Sequence, residues 1–285
     1  MDADINDLIE RALIEDLGPE GLDATCAALA SDAIGSAQIR TRVDCCVAGM
    51  AVASAVFRAV DDSLSVEVIL PDGSNATAGD GLLKVSGRAA SILTAERTAL
   101  NFAQRLSGIA TLTRAYVRTA NRPELVLLDT RKTTPGWRAL EKAAVVCGGG
   151  VNHRMGLYDA VMIKDNHLAL WGRGSIVDAV QTARACFPRL KIEVEVDTLD
   201  QLREVLDARP DWVLLDNMEP QQLRLGVEMC RGICRTEASG GITLSTIQAV
   251  AATGVDAVSV GALTHSAGSI DLGLDVEDAI LSHRG

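Results

Sequence analysis

Beyond residue 123 the chain repeats one pattern: a short, almost wholly apolar run, then polar or charged residues, then usually a helical periodicity. The apolar runs fall at 125–128, 160–163, 192–196, 212–215, 235–238 and 257–260, with helical patterns at 140–146, 176–186, 199–208, 221–230 and 244–253. Nearly continuous apolar strands joined by helical crossovers imply a parallel sheet covered on both faces, which is either a barrel or an open doubly wound sheet. Neither a G-x-G-x-x-G nor a Walker A motif is present to favour a nucleotide-binding open sheet.

The first 120 residues have a different character. Residues 5–17 carry apolar positions at helical spacing, and strand-like runs at 37–43, 46–52, 64–70 and 82–86 are separated by turn formers such as Pro71-Asp72-Gly73. An α+β module follows from this mixture. Residues 94–119 read as one long helix, with Thr94 as N-cap, Glu96 in the first turn and Gly108 as a point of bending. That helix is the expected bridge between two domains, at 1–112 and 113–267.

Composition narrows the function. Of 285 residues 48% are hydrophobic and 23% charged, which suits a globular fold, and the net charge of −11 opposes binding to nucleic acid or anionic membranes. No apolar run is long enough to span a bilayer and residues 1–10 are acidic, unlike the basic start of a signal peptide, so a cytoplasmic location is expected. Seven cysteines without a Cys-x-x-Cys pair, and four scattered histidines, lack zinc-ligand spacing and read as reduced thiols.

Functional groups of an α/β barrel gather at the carboxyl ends of its strands. There this chain places Asp129-Thr130-Arg131-Lys132, Lys164-Asp165-Asn166, Glu195, Asp216-Asn217, Ser239-Gly240-Gly241 and Gly261. Residues 131–164 hold six basic residues (Arg131, Lys132, Arg138, Lys142, Arg154, Lys164) against Glu141 and Asp159, a positive stretch in an acidic chain. Focused Arg and Lys side chains suit a small polyanionic substrate, since they bind carboxylate and phosphate in directed, charge-assisted hydrogen bonds. Lys142 reads instead as a solvated helix-face charge, and Arg138 as either. Glu195 and Asp216 end neighbouring strands, where their repulsion calls for water, a hydroxyl-rich ligand or a divalent cation. Ser239-Gly240-Gly241 and Val260-Gly261-Ala262 leave room for backbone N–H groups to approach a phosphate, although either could be an ordinary turn.

Several stretches together resemble the quinolinate phosphoribosyltransferase family. They are Glu96-Arg97-Thr98-Ala99-Leu100-Asn101, Asp129-Thr130-Arg131-Lys132-Thr133-Thr134-Pro135-Gly136, Asn152-His153-Arg154, Ile163-Lys164-Asp165-Asn166-His167, Glu193-Val194-Glu195-Val196, Leu215-Asp216-Asn217, Glu237-Ala238-Ser239-Gly240-Gly241-Ile242 and Ser259-Val260-Gly261-Ala262. The resemblance implies an N-terminal α/β sandwich completed by the C-terminal tail 268–285, and an incomplete, roughly seven-stranded α/β barrel. It also implies a homodimer in which Arg97 of one copy closes the site of the other. Quinolinate would meet Arg97, Arg131, His153, Arg154 and Lys164, with Thr130 beside them. Lys132 would face phosphoribosyl pyrophosphate, Glu195 and Asp216 its ribose hydroxyls and Mg2+, and Ser239, Gly240, Gly241, Val260, Gly261 and Ala262 its 5′-phosphate.

The implied reaction joins the pyridine nitrogen to the anomeric carbon, expels pyrophosphate and releases the 2-carboxylate as carbon dioxide, giving nicotinate mononucleotide for NAD biosynthesis. Lys132, Glu195 and Asp216 are the residues implied in its catalysis. Three alternatives stand beside it: a related molybdenum-transport-associated transferase, a barrel aldolase forming a Schiff base at Lys164, and a non-catalytic phosphosugar-binding protein.

Overall fold

The computed structural model describes residues 3–29, 33–172 and 174–280. In chain order the elements are α1 (Ala3–Leu17), α2 (Ala24–Leu29), β1 (Ile34–Thr41), β2 (Cys45–Cys46), α3 (Met50–Val60), β3 (Ser65–Val68), β4 (Asn75–Ala76), β5 (Gly81–Arg88) and α4 (Ala89–Ala120). There follow β6 (Val126–Leu128), α5 (Arg138–Cys147), β7 (Val161–Ile163), α6 (Asp165–Trp171), α7 (Ile176–Cys186), β8 (Ile192–Val196) and α8 (Leu199–Leu206). The chain ends with β9 (Trp212–Asp216), α9 (Pro220–Cys230), β10 (Arg235–Ser239), α10 (Ile247–Ala251), β11 (Ala257–Ser259), α11 (Ala262–His265) and β12 (Leu272–Ile280). Two compact units emerge, one of residues 1–112, 146–148 and 267–285, the other of 113–145 and 149–266.

In the first unit an antiparallel sheet runs in the order β12-β1-β5-β3, so the last described strand pairs with the first, Gln38 facing Asp275. Residues 281–285 of the expected tail lie outside the described residues. Residues 46–52 were expected as a strand, but only Cys45–Cys46 pairs and α3 begins at Met50. Gly49, at φ +90, turns the chain into the helix, which then buries Met50, Val52, Ala53, Val56 and Phe57. A small-residue run such as Met50-Ala51-Val52-Ala53-Ser54-Ala55 has no polar alternation to separate the two conformations. Tertiary burial decided it.

Helix α4 begins five residues before Thr94, whose hydroxyl donates to Asp23 Oδ2 at 2.9 Å instead of capping the helix. Gly108 sits within the continuous helix because its Cα passes against the Gly268 carbonyl, leaving no room for a Cβ. Gly108→Ala should therefore cost about 2 kcal/mol or more through forced backbone movement, readable as a lower denaturant midpoint. No change in the midpoint would show that the neighbouring segment yields freely.

The second unit is a parallel sheet in the order β6-β11-β10-β9-β8-β7. Sequence neighbours are adjacent and the first strand lies beside the last, which is the cyclic order of a barrel. At the seam, Val151 bridges Leu128 in parallel and supplies a seventh, single-bridge strand, while β6 and β7 do not pair among the described residues. The incomplete, roughly seven-stranded barrel implied by the family resemblance is met by six paired strands and this single bridge. The strands are short and buried: Val194, Val196, Val213, Leu215, Ala257 and Val258 are at most 1% exposed. Crossover helices start on local caps, with Ser175 accepting from the Asp178 N–H and Thr198 from the Gln201 N–H.

Candidate active site

The carboxyl ends of the parallel strands surround a cavity of about 360 Å³. Thr130, Arg131, Lys132, His153, Arg154, Lys164, Glu195, Asp216 and Ser239, all expected from the sequence, line it together. Gly240 and Gly241 follow Ser239 with φ +91 and +59, backbone that L side chains rarely adopt, and at Gly240 a Cβ would collide with the Asn217 side chain. Gly261 lies where a Cβ would press on Lys132 Cδ and His265 Nε2 at 3.1 Å, between buried Val260 and Ala262 at the start of α11. Arg97 belongs to α4 in the first unit.

One wall is fixed by a buried ion pair. Lys142 and Asp129 are both fully buried and joined directly, and Lys142 Nζ also donates to the His153 carbonyl at 3.0 Å. The reading of Lys142 as a solvated surface charge is thus overturned: α5 turns it inward to an acid at the end of β6. Asp129 Oδ1 accepts the His153 N–H at 2.8 Å, and Asn152, with its amide oriented to match, donates to Oδ2 at 2.7 Å. Burial pushes the Asp129 carboxyl up, while Lys142 and the His153 N–H hold it down. Arg138 also serves the scaffold, donating to Thr133 Oγ1 and the Met155 carbonyl at 3.1 Å each.

The floor carries three more titratable groups. His153 Nε2 lies 3.1 Å from Glu193 Oε2 and 3.4 Å from Glu237 Oε2, and its Nδ1 accepts the Arg154 N–H at 2.7 Å. Burial opposes a charged ring, but the two carboxylates outweigh it and push the pKa up to about 10. The Nε2 proton points at the two carboxylates, while the Arg154 N–H at Nδ1 opposes a second ring proton. Burial, with Glu237 alongside, raises the Glu193 pKa against the pull of His153. The three groups offer ligand atoms within 4.8 Å of one another, a spacing a metal could bridge. His153 already lies between the two carboxylates and Glu193 attracts Arg154, so protein groups meet the charge of this cluster.

Above this floor the cations are crowded. Burial first, and then the neighbouring Arg131, press the Arg154 pKa downward, and Arg131 Nη1 is buried with no hydrogen-bond partner. An orphaned guanidinium N–H costs about 1–3 kcal/mol, and a carboxylate would remove that cost. Lys164 is paired directly with Glu195, while Asp216 Oδ2 accepts from the Asn217 amide at 2.6 Å. The two strand-end acids are therefore not the unpaired carboxylates inferred from sequence. Lys132 is positioned through its backbone, its N–H donating to Thr130 Oγ1 at 3.1 Å and its carbonyl accepting from Thr264 Oγ1 at 2.8 Å.

Sequence reasoning gave no role to Asp129, Glu193, Glu237, Met162, Leu214 or Ser259, of which the last four line the cavity. A signal for two of them was present. Along a strand i and i+2 share a face, so Glu193 must point inward if Glu195 does, and Glu237 if Ser239 does.

Two family models match consecutive parts of the chain: the quinolinate phosphoribosyl transferase N-terminal domain over residues 23–107 and the C-terminal domain over 109–275. The chain belongs to the quinolinate phosphoribosyltransferase family. A nicotinate-nucleotide pyrophosphorylase [carboxylating] from Mycobacterium leprae is 44% identical over 276 residues, covering 95% of this chain and 96% of that protein. A probable nicotinate-nucleotide pyrophosphorylase [carboxylating] from Bacillus subtilis is 42% identical over 270 residues, covering 94% and 92%. Among solved structures, the nicotinate-nucleotide pyrophosphorylase from Francisella tularensis superposes with a TM-score of 0.91 at 38% identity, covering 96% of each chain. In this quinolinate phosphoribosyltransferase fold the cation-lined cavity sits where barrel enzymes carry their chemistry.

Proposed function

We propose that the protein transfers the phosphoribosyl group of phosphoribosyl pyrophosphate to quinolinate with loss of carbon dioxide, giving nicotinate mononucleotide and pyrophosphate for NAD biosynthesis. The observation that carries this is the crowded pair of guanidinium groups: Arg131 with a buried, partnerless Nη1 and Arg154 beside it. Together with Lys164 they suit a planar substrate bearing two carboxylates, which the family membership and the names of the relatives support. The direct pairing of Lys164 with Glu195 favours a cation that binds an anionic substrate over a Schiff-base lysine.

In this reading Arg131, Arg154 and Lys164 orient the dianion so that its ring nitrogen faces the anomeric carbon, with Thr130 and His153 shaping the wall and floor. Lys132 faces the diphosphate as it leaves. Ser239, Gly240, Gly241, Val260, Gly261 and Ala262 take the 5′-phosphate through close backbone approach. Glu195 and Asp216 hold the ribose hydroxyls while positive charge grows on the sugar. Two oxygen donors at one cavity wall fit magnesium, which Glu195 and Asp216 would hold with diphosphate oxygens, and which would neutralise charge on the leaving group. Free cysteines and an acidic charge balance suit a cytosolic enzyme, and no described helix is long and apolar enough to cross a membrane.

Incubation with quinolinate, phosphoribosyl pyrophosphate and magnesium should yield carbon dioxide and nicotinate mononucleotide in equal amounts; absence of either product would sink the assignment. Glu195→Ala and Asp216→Ala should lower turnover far more than they weaken quinolinate binding. Calorimetry showing the reverse would exchange the roles of the acids and the cations.

The same reading includes a homodimer in which Arg97 of one copy serves the site of the other, as the family resemblance implies. Arg97→Ala and Lys164→Ala homodimers should then each be nearly inactive. Random reassortment makes about half of the dimers mixed, each with one intact site, so activity should return to roughly a quarter of wild type. If tagged-chain co-purification proves exchange and activity stays low, Arg97 acts elsewhere.

A further inference from the structure

A second, open cavity of about 820 Å³ lies at the amino ends of β8, β9 and β10, opposite the strand ends that carry the active site. Its charged lining is four cations, Arg184, Lys191, Arg209 and Arg235, against one carboxylate, Asp211. Arg184 and Lys191 share that acid at 3.6 Å each, and Arg235 lies over the Trp212 ring at 5.5 Å from its centroid. Such a concentration of positive charge in a chain of net charge −11 attracts small anions.

Cys234 forms part of the same wall. Four residues earlier Cys230 ends α9, 1% exposed, and the turn between them, with Gly232 at φ +76, directs the Cys234 N–H to the Cys230 carbonyl at 3.2 Å. That backbone bond brings the two cysteines together on one turn. The neighbouring Cys230 draws the Cys234 pKa down, against burial and the nearby Asp256, and Cys230 itself is pushed up. A partly exposed sulfur on the wall of a cation-lined cavity, with a second thiol one turn away, is the arrangement that thiol–disulfide exchange requires. Cys186 is more exposed and serves as an internal reference.

We propose that Cys234 and Cys230 form an exchange site for small anionic disulfides, with Cys234 the attacking thiol and Cys230 the resolving one. The Cys234 thiolate attacks one sulfur of the incoming disulfide, forming a mixed disulfide and expelling one thiolate. Cys230 gives its proton to solvent and attacks the Cys234 sulfur, closing the intramolecular disulfide and expelling the second thiolate. Two protein thiols are oxidised and one small disulfide is reduced to two thiols, with no other reactant. The cations act on the first step by gathering the anion.

The test treats the full chain with glutathione disulfide, which is anionic, and separately with cystamine, which is cationic, and follows each cysteine by intact mass and peptide mapping. The expected product is a Cys230–Cys234 disulfide, a loss of two hydrogen atoms. Relative to Cys186, Cys234 should prefer the anionic probe by about tenfold or more at low ionic strength, a preference that salt erodes. Arg209→Glu and, independently, Lys191→Glu should reduce that preference, and Cys230→Ser should stop the reaction at a mixed disulfide on Cys234. Equal preference for the two probes, earlier reaction at Cys186, or a mixed disulfide that persists in the wild type would overturn the proposal.

Discussion

Nicotinate should be a poor substitute for quinolinate, with kcat/KM lower by roughly 30-fold to several thousand-fold. The range follows from the 2–5 kcal/mol that a buried cation loses when its partner is removed, at about 1.4 kcal/mol per tenfold. Nicotinate keeps the 3-carboxylate and the ring nitrogen but lacks the 2-carboxylate. Arg131 Nη1 already lacks a partner in its buried position and Arg154 is pressed by Arg131, so a monoanion leaves part of this charge uncompensated. Steady-state kinetics with both acids measures the difference. Comparable kcat/KM values would mean that the cations do not read the second carboxylate.

Lys142→Met should be the most destabilising single change in the barrel unit, by about 3–5 kcal/mol, because it strands a fully buried carboxylate. Asp129 would keep the His153 N–H and lose the ammonium. Burial already pushes the Asp129 carboxyl up from its ordinary 3.8, and removing Lys142 pushes it further. A group whose folded pKa is raised favours the folded state below its unfolded pKa and loses that contribution as pH rises through the folded value. The deficit of the variant should therefore shrink as pH falls toward 4 and be fully developed at neutral pH. Denaturant titrations at several pH values test this, and adding Asp129→Asn to Lys142→Met should recover part of the loss. A pH-independent deficit would indicate lost packing rather than a stranded charge.

Much of the barrel was legible because buried parallel strands announce themselves. Residues 192–196 and 176–186 were assigned with the boundaries the structure has, since no alternative pattern competes with a run such as Ile192-Glu193-Val194-Glu195-Val196. The cavity side chains were legible for the same reason: in a barrel the residues at the strand ends face the mouth, and many of them are charged here. Less was legible upstream. The Ala- and Val-rich stretch at α3 carries propensity for either conformation, and the short α6 and α11 lack the length for a periodic signal.

The order of residues along the chain determined which groups end the strands, how the crossovers are capped and that positive charge would be concentrated between residues 131 and 164. It did not determine which of those charges face substrate. Arg131, Lys142 and Arg154 look alike in sequence, yet Lys142 is locked to Asp129 as scaffold, Arg154 donates to the Ala160 carbonyl and the Met162 sulfur, and Arg131 Nη1 is left without a partner. That division depends on the direction in which α5 turns its face and on which strand end it meets. Likewise, Glu237 is brought to His153 from 84 positions along the chain only by the closure of β10 against its neighbours. Local propensity acts over a few residues; the desolvation and pairing that separate a binding cation from a structural one act through space, and only the folded barrel sets those distances.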